Sequence, residues 1–425
     1  MPTIILLFSI FVLSLTGCSP QESAQTPAPS APSEEEIRER ARAIHDEVLT
    51  LDTHVDIPFN YATEEVDPGK RAEFQVDLPK MEEGGLDAAF FIVYVGQTAR
   101  TEANYEKAKA DAMTKFDAIH RMTETMYPDR IELAHSADDV VRIHESGNLV
   151  AAIGIENGYV IGKDLSLLAK YHELGARYIT LAHGGHNDIA DSSTPQKGLG
   201  DAEEEHGGLS AFGREVVAEM NRVGIMVDVS HISKKSMLQA VEASKAPVIG
   251  SHSSTRALAD VPRNMDDEQL RALSARGGVM QTVALGAFVQ NPPEKQAAMK
   301  ALFEELGISG MGELSSLSEA NRAVFDEKRK EIEARFPAAT VSDFVDHIDH
   351  AVEVMGIDHV GISSDFDGGG GIEGWNNAAE TFNITHELVR RGYTEEQIAK
   401  LWSGNLLRVW REVERVAHEL QSATE

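Results

Sequence analysis

Short apolar runs recur along most of this chain, and polar stretches with helical spacing separate them. An apolar run of this length between turn signals is typical of a strand that is buried on both faces. Stretches such as SLLAKYHELGA, GREVVAEMNRVG and SKKSMLQAVEAS have the apolar spacing of amphipathic helices. The pattern predicts eight strands, at residues 48–54, 86–95, 149–155, 177–183, 224–230, 246–251, 277–284 and 359–365.

The alternation of strands and helices indicates an α/β fold with a parallel sheet. Eight such units favour closure into a (β/α)8 barrel of the TIM type. Two gaps are long: residues 96–148 are expected to hold two helices, and residues 285–358 a charged, largely helical insertion between predicted strands seven and eight. Insertions of this size usually lie over or beside the active face of a barrel.

The N-terminal segment has the pattern of an export signal. Residues 3–16 are apolar but too few to span a bilayer, and they fit the h-region of a signal peptide, although no Lys or Arg precedes them. Leu15-Thr16-Gly17-Cys18 follows and resembles a bacterial lipobox. We therefore expect residues 1–18 to be a lipoprotein signal and Cys18 to be lipidated. The protein would then be exported and anchored to a bacterial membrane, on its periplasmic side or at the cell surface. The alternative is an ordinary signal with an incidental cysteine.

A flexible tether is predicted at residues 19–33, which are rich in Pro, Ser, Ala and Gln. Ser33 and Glu36 have the spacing of a capping box that opens a helix. We expect the folded body, the barrel domain, to comprise residues 34–425.

Hydrophobic content, net charge and the cysteine count limit the classes of function that the chain can have. Hydrophobic residues make up 42% of the 425 positions, enough for a sizeable core. The formal net charge of -30 makes nucleic acid an unfavourable partner. Cys18 is the only cysteine, so an intramolecular disulfide and a cysteine-based zinc site are both excluded.

Ligand-type side chains follow several of the predicted strands. His54 and Asp56 are two residues apart, and residues i and i+2 of a strand point to the same face. Glu156 ends an apolar run, where a carboxylate is costly to bury unless it is paired or bound to a metal. Either feature alone is compatible with an ordinary structural role.

His231 and His252 follow two more strands, and imidazole is a common zinc ligand. In a parallel barrel the carboxyl ends of the strands meet at one face, which brings all five ligand-type residues together. Together they predict a two-metal site. Metals about 3.5–4 Å apart could share a hydroxide nucleophile.

Several motifs, in this order, give the chain a close resemblance to the membrane (renal-type) dipeptidases. They are DTHVDIP, QVDLPKMEEGGLDAAFFIVYV, GIEN, ITLAH, DVSH, PVIGSHSS, HVGISSDFDG and SGNLLRVW. The resemblance runs from about residue 36 to residue 415. It implies a distorted (β/α)8 barrel of the metal-dependent hydrolase (amidohydrolase-like) type, two Zn²⁺ per chain and a dipeptide substrate.

The resemblance also assigns roles within that site. It places His54 and Asp56 on one zinc and His231 and His252 on the other, with Glu156 as the bridging ligand.

Three more residues take their roles from the same resemblance. His183 resembles the histidine that contacts the scissile group and its oxyanion, and Asp365 the general acid/base. Arg263 resembles the arginine that binds the substrate's terminal carboxylate, with Arg256 as a second candidate.

The chain departs from the family pattern after the seventh predicted strand. Many relatives carry an Asn-Phe-Tyr-like stretch there, whose tyrosine helps to hold the substrate. This chain has Gln281-Thr282-Val283-Ala284-Leu285-Gly286. The departure bears on substrate preference and not on the metal chemistry.

The sequence leaves two other functions open. It is also compatible with a homodimer. One is a related dinuclear amidohydrolase that acts on lactams or other small amides and esters. The other is a tethered binding lipoprotein without activity, although the full set of ligands and Asp365 argues against it.

Overall fold

The computed structural model describes residues 32–308 and 317–423, together with Thr3, Ser9, Gly310 and Leu314. The predicted lipobox with Cys18, and all of the tether except Pro32 and Ser33, lie outside the described residues. No helix within the described part of the chain is both long and apolar enough to cross a membrane.

A nearly closed barrel of eight parallel strands forms the centre of the molecule, which confirms the predicted (β/α)8 fold. Its strands pair in the order β1-β2-β4-β5-β6-β7-β8-β9. The amide of Asp56 donates to the carbonyl of Phe366 at 2.9 Å, which links β1 to the residues after β9. The strands are β1 Leu51–Asp56, β2 Ala88–Tyr94, β3 Ile131–Leu133, β4 Leu149–Glu156, β5 Ala176–Thr180, β6 Met226–Asp228, β7 Ile249–Ser253, β8 Val279–Val283 and β9 Val360–Ser363.

One strand, β3, was not predicted. It has three residues, too few to show a periodic pattern in the sequence. It pairs with residues 149–151 of β4, on the edge that β5 occupies from Ile153 onwards. It therefore adds to the sheet without entering the barrel.

Helices connect the strands, as the alternating pattern predicts. The first begins at Glu34, and Ser33 and Glu36 form the expected capping box. The helices are α1 Glu34–Glu47, α2 Leu78–Gly84, α3 Glu102–His120, α4 Ala137–Glu145, α5 Ser166–Glu173, α6 Ala211–Val223, α7 Lys234–Ala243, α8 Asp267–Ala275, α9 Gly286–Val289, α10 Pro293–Leu306, α11 Glu319–Ala334, α12 Val341–Met355, α13 Phe382–Arg390, α14 Glu395–Ala399 and α15 Asn405–Ser422.

The amino end of the barrel is filled with apolar side chains. Leu51, Met226, Ile249 and Val279, each at the start of its strand, belong to one buried cluster that also contains Trp410 of α15. This packing seals one end of the barrel and leaves the carboxyl ends of the strands for polar side chains.

The insertion between β8 and β9 is largely helical, as predicted, and its described residues include α9 to α12. Its helices α10 and α11 pack on each other around a small separate cluster of Leu302, Phe325 and Ile332. Helix α12 packs against α8, α13 and β9 of the body.

Candidate metal centre and active site

The predicted site residues lie at the carboxyl ends of the barrel strands. His54 and Asp56 lie in β1, Glu156 ends β4, and His252 lies in β7. His183, His231, Asp365 and Arg263 lie in the segments that follow β5, β6, β9 and β7. Side chains up to about three hundred positions apart in the sequence thus meet at one face.

Glu156 is the centre of this group. Its Oε1 lies 2.9 Å from Nε2 of His231, 3.2 Å from Nε2 of His252 and 3.6 Å from Nε2 of His183. Its Oε2 lies 3.7 Å from Nε2 of His54. The two oxygens therefore face different partners, which is the geometry that a bridging carboxylate needs. We call His183, His231 and His252 the imidazole half of the site.

The other half is acidic. Nε2 of His54 lies 3.5 Å from Oδ2 of Asp56 and 3.8 Å from Oδ1 of Asp365. We call His54, Asp56 and Asp365 the acidic half. Candidate ligand atoms lie within 4.8 Å of one another in three groups, which are His54, Asp56 and Asp365; Glu156, His183 and His231; and His54, Glu156 and His252.

The acidic half has the properties of a cation site. Nε2 of His54 is buried and makes no hydrogen bond to any described residue, although three carboxylates surround it. Burial lowers the pKa of His54, but the charges of Glu156 and Asp56 outweigh it and hold that pKa well above its usual value. A buried polar atom without a partner is costly, so a divalent ion fits the donors at this position.

The imidazole half is neutral at physiological pH. Burial, followed by the charge of Arg263, holds the pKa of His231 well below its usual value. Burial and the charge of His54 do the same for His252. Neutral imidazoles are the form in which histidine binds a metal.

Two hydroxyl groups orient two of the candidate histidine ligands, His54 and His252. The hydroxyl of Tyr178 donates to the carbonyl of Thr53 at 3.0 Å, so its oxygen can accept from Nδ1 of His54 at 2.9 Å. The hydroxyl of Ser251 donates to Asp228 at 2.7 Å and can accept from Nδ1 of His252 at 2.8 Å. In both histidines this leaves Nε2 directed at the metal site. Sequence analysis missed both residues, because Tyr and Ser are ordinary strand residues.

Backbone strain is concentrated at this face. Asn157, His231, Asp365 and Asp367 have φ between 59° and 80°, a region that non-glycine residues seldom adopt. His231 and Asp365 are themselves candidate site residues. Asn157 directly follows Glu156, and Asp367 lies two positions after Asp365. Such strain persists only where the surrounding structure imposes it, and it is common at functional sites.

Asp365 is buried close to two other carboxylates. Burial raises its pKa to about 8, His54 opposes this, and Asp56 and Glu156 add to it. A carboxyl group with a raised pKa in a cleft is suited to proton transfer near neutral pH.

The structure separates the two candidate arginines. Arg256 forms an ion pair with Asp260 at 2.9 Å at the surface. Arg263 is 7% exposed, and its Nη2 donates to the carbonyl of His252 at 3.0 Å. Its buried Nε has no hydrogen-bond partner within the described part of the chain. Arg263 is therefore the one that can offer free donors to a ligand.

The insertion between β8 and β9 reaches the site beside Arg263. The guanidinium of Arg263 lies 5.3 Å from the ring centre of Phe288, which belongs to α9. Residues 281–286 are the stretch in which the chain departs from the family pattern. Within it, the side-chain amide of Gln281 is buried and has no hydrogen-bond partner among the described residues.

Comparison with known proteins gives consistent relatives. The sequence model of the family described as "Membrane dipeptidase (Peptidase family M19)" matches residues 38–424. Over 355 residues the chain is 34% identical to dipeptidase tcpJ of Claviceps purpurea. The matched region covers 82% of this chain and 72% of that relative. It is 30% identical over 397 residues to dipeptidase 3 of Rattus norvegicus, which covers 90% of this chain and 69% of the relative.

A solved structure is similar as well. The crystal structure of the probable dipeptidase PvdM from Pseudomonas aeruginosa superposes with a TM-score of 0.83 at 31% identity, covering 90% of this chain and all of that one.

Proposed function

Because the chain belongs to the membrane dipeptidase family, peptidase family M19, we propose that it hydrolyses the peptide bond of dipeptides that carry a free terminal carboxylate. Its relatives are named dipeptidases, and the family is one of metallopeptidases. The observation that carries the proposal is the position of Glu156, whose two oxygens face two separate groups of ligand atoms.

The proposed cofactor is a pair of zinc ions. His54 and Asp56 would hold one ion, His231 and His252 the other, and Glu156 would bridge them. When bound, two divalent ions would lower the pKa of a water molecule between them and polarise the scissile carbonyl.

Asp365 is proposed as the group that moves protons. Its Oδ1 lies 3.8 Å from Nε2 of His54 in the acidic half. It would accept a proton from the attacking water and pass it to the leaving amine nitrogen as the carbon–nitrogen bond breaks.

His183 is proposed to stabilise the charge that develops on the carbonyl oxygen. Its side chain is 26% exposed, more than those of His231 and His252, and its Nε2 lies 3.6 Å from Glu156. An imidazole N–H at this position could donate to an oxyanion. Ser192 donates its hydroxyl to the carbonyl of His183, which fixes the backbone of that loop.

Arg263 is proposed to bind the terminal carboxylate. Its fixed fork of donors suits a carboxylate, and its burial would make that pair strong.

A dipeptide panel, with metal analysis of the purified protein, tests this function. We expect two equivalents of zinc and turnover of dipeptides, but not of the corresponding dipeptide amides, lactams or esters. Arg263→Met should raise KM for dipeptides by roughly 10-fold or more, whereas the surface variant Arg256→Met should change it little. Equal effects of the two variants, or preferred hydrolysis of a lactam or an ester, would contradict the proposal.

We also propose that residues 1–18 direct export and that Cys18 carries the lipid anchor. The support is the sequence pattern of the segment. The variant Cys18→Ser should appear in the soluble fraction. If it still sediments with membranes, lipid anchoring through this cysteine is wrong.

A further inference from the structure

Lys115 is a buried lysine whose ammonium group has no anionic partner among the residues that the structure describes. It lies on α3 and is 4% exposed. Its Nζ lies 5.1 Å from the ring centre of Phe59 and 5.6 Å from that of Tyr94. No described residue forms a hydrogen bond or an ion pair with it. Asp111, four positions earlier on the same helix, is paired with Lys107 at 2.6 Å.

A buried ammonium normally requires a counter-ion or several hydrogen bonds. Two aromatic faces attract a cation but do not replace its hydration. Two other cations of the chain illustrate the usual arrangement, since Arg100 lies 2.7 Å from Glu205 and Lys163 lies 3.4 Å from Asp188. Lys115 differs from them because it is buried and contacts aromatic rings instead of a carboxylate of the described residues.

The lysine lies beside the active site. Tyr94 is the last residue of β2, pairs in register with Glu156, and has its ring centre 4.8 Å from that of His183. Burial holds the pKa of Lys115 below its usual value, although the charges of Asp56 and Glu156 act in the opposite direction. The ammonium group therefore lies within the electric field of the metal site.

Arg263 lies on the opposite wall. It follows β7 and contacts the carbonyl of His252, whereas Tyr94, which the lysine faces, ends β2. In the strand order, β2 and β7 are four positions apart in a barrel of eight, which places them across the axis from each other. A dipeptide with its terminal carboxylate on Arg263 would extend its first residue towards Lys115.

We propose that Lys115, held between Phe59 and Tyr94, forms a subsite for the acidic side chain of the substrate's first residue. The preferred substrates would then be dipeptides with Glu or Asp at the first position, bound by Lys115 at one end and Arg263 at the other. Phe59, which is 51% exposed, would cover the aliphatic part of that side chain. This inference rests on the proposed dipeptidase function.

The kinetic test compares Glu-Ala with Gln-Ala, which differ in charge and hardly in shape. The wild-type enzyme should prefer Glu-Ala by roughly 10-fold or more in kcat/KM, mainly through KM. Lys115→Met should abolish that preference and leave Gln-Ala within about threefold, and Lys115→Arg should restore part of it. The matched control Lys109→Met, on the same helix, should keep the full preference.

A binding test separates this inference from the proposed function. In the Asp365→Asn background, Glu-Ala should bind more tightly than Gln-Ala by calorimetry, and Lys115→Met should remove the difference. The inference is overturned if the wild type does not distinguish the two peptides, or if Lys115→Met weakens both equally, as a purely structural lysine would. A preference for Ala-Glu over Glu-Ala would also overturn it. Absence of turnover with intact, Lys115-dependent binding of Glu-Ala would instead contradict the dipeptidase function alone.

Discussion

The acidic half and the imidazole half of the site share Glu156 but are built for different charges. The acidic half surrounds one imidazole with three carboxylates, and in the absence of metal it holds His54 in its protonated form. The imidazole half places three rings around one carboxylate oxygen, and burial keeps His231 and His252 neutral. One half therefore attracts a cation by charge, and the other offers neutral nitrogen ligands that need no deprotonation.

Glu156→Gln should disturb both halves at once, because they share this residue. We expect it to have the largest effect on metal content and activity. The amide keeps the size of the side chain but has one oxygen and no charge, so it cannot bridge. We expect the metal content to fall below two equivalents and kcat/KM to fall by more than the roughly 10–100-fold loss that removal of an outer partner causes. Elemental analysis and kinetics measure both. A folded variant that keeps two metal ions and full activity would show that Glu156 is not the bridge.

Asp365→Asn should separate proton transfer from metal binding within the acidic half. The amide keeps the shape and loses the proton-accepting group. Turnover should fall by roughly 10²–10⁴-fold, while two equivalents of metal remain bound. Retained turnover would reject the proton-transfer role, and loss of metal would make Asp365 a ligand.

Tyr178→Phe and Ser251→Ala should affect one half each. Tyr178 orients His54, and Ser251 orients His252. Loss of either hydroxyl should weaken one of the two metal equivalents by roughly 10–100-fold and leave the other nearly unchanged. Titration against a chelator of known affinity resolves the two metal equivalents.

The matched control is Tyr171→Phe. Tyr171 is buried, and its hydroxyl donates to the carbonyl of Val160 outside the site. If Tyr178→Phe weakened both equivalents equally, the two halves would not be independently supported.

The fold and the candidate ligands could be predicted because both leave a local signal. Most barrel strands contain or follow a short apolar run, and His54, Asp56, Glu156 and His252 lie at or near the ends of such runs. The structure brings these residues together, and their roles stay predictions. The resemblance ranked Arg263 above Arg256, and the structure adds a physical reason that the residues alone did not give: Arg263 is buried, whereas Arg256 is paired with Asp260 at the surface.

What the sequence did not reveal depends on contacts between distant elements. Tyr178 and Ser251 have side chains typical of strands, and their value lies in the single atom that each contacts. Lys115 has the spacing of an ordinary helix charge, and only the packing of Phe59 and Tyr94 shows that it is buried. Strand β3 is too short to be recognised without its neighbour β4.

Proton release on metal binding should show the difference between the halves most directly, although its effect is the smallest. In the metal-free protein the raised pKa of His54 and the pKa of about 8 of Asp365 keep both groups protonated at pH 7. A bound cation favours their deprotonated forms, so metal uptake at pH 7 should release about one to two protons. His231 and His252 have lowered pKa values, are already neutral, and should release none. The apparent metal affinity of the acidic half should therefore rise as the pH increases through about 8, because Asp365 loses its proton in that range. Calorimetry in two buffers of different ionisation enthalpy counts the protons. Asp365→Asn should lower the count by about one, and an unchanged count would mean that the two halves do not differ in protonation as the structure indicates.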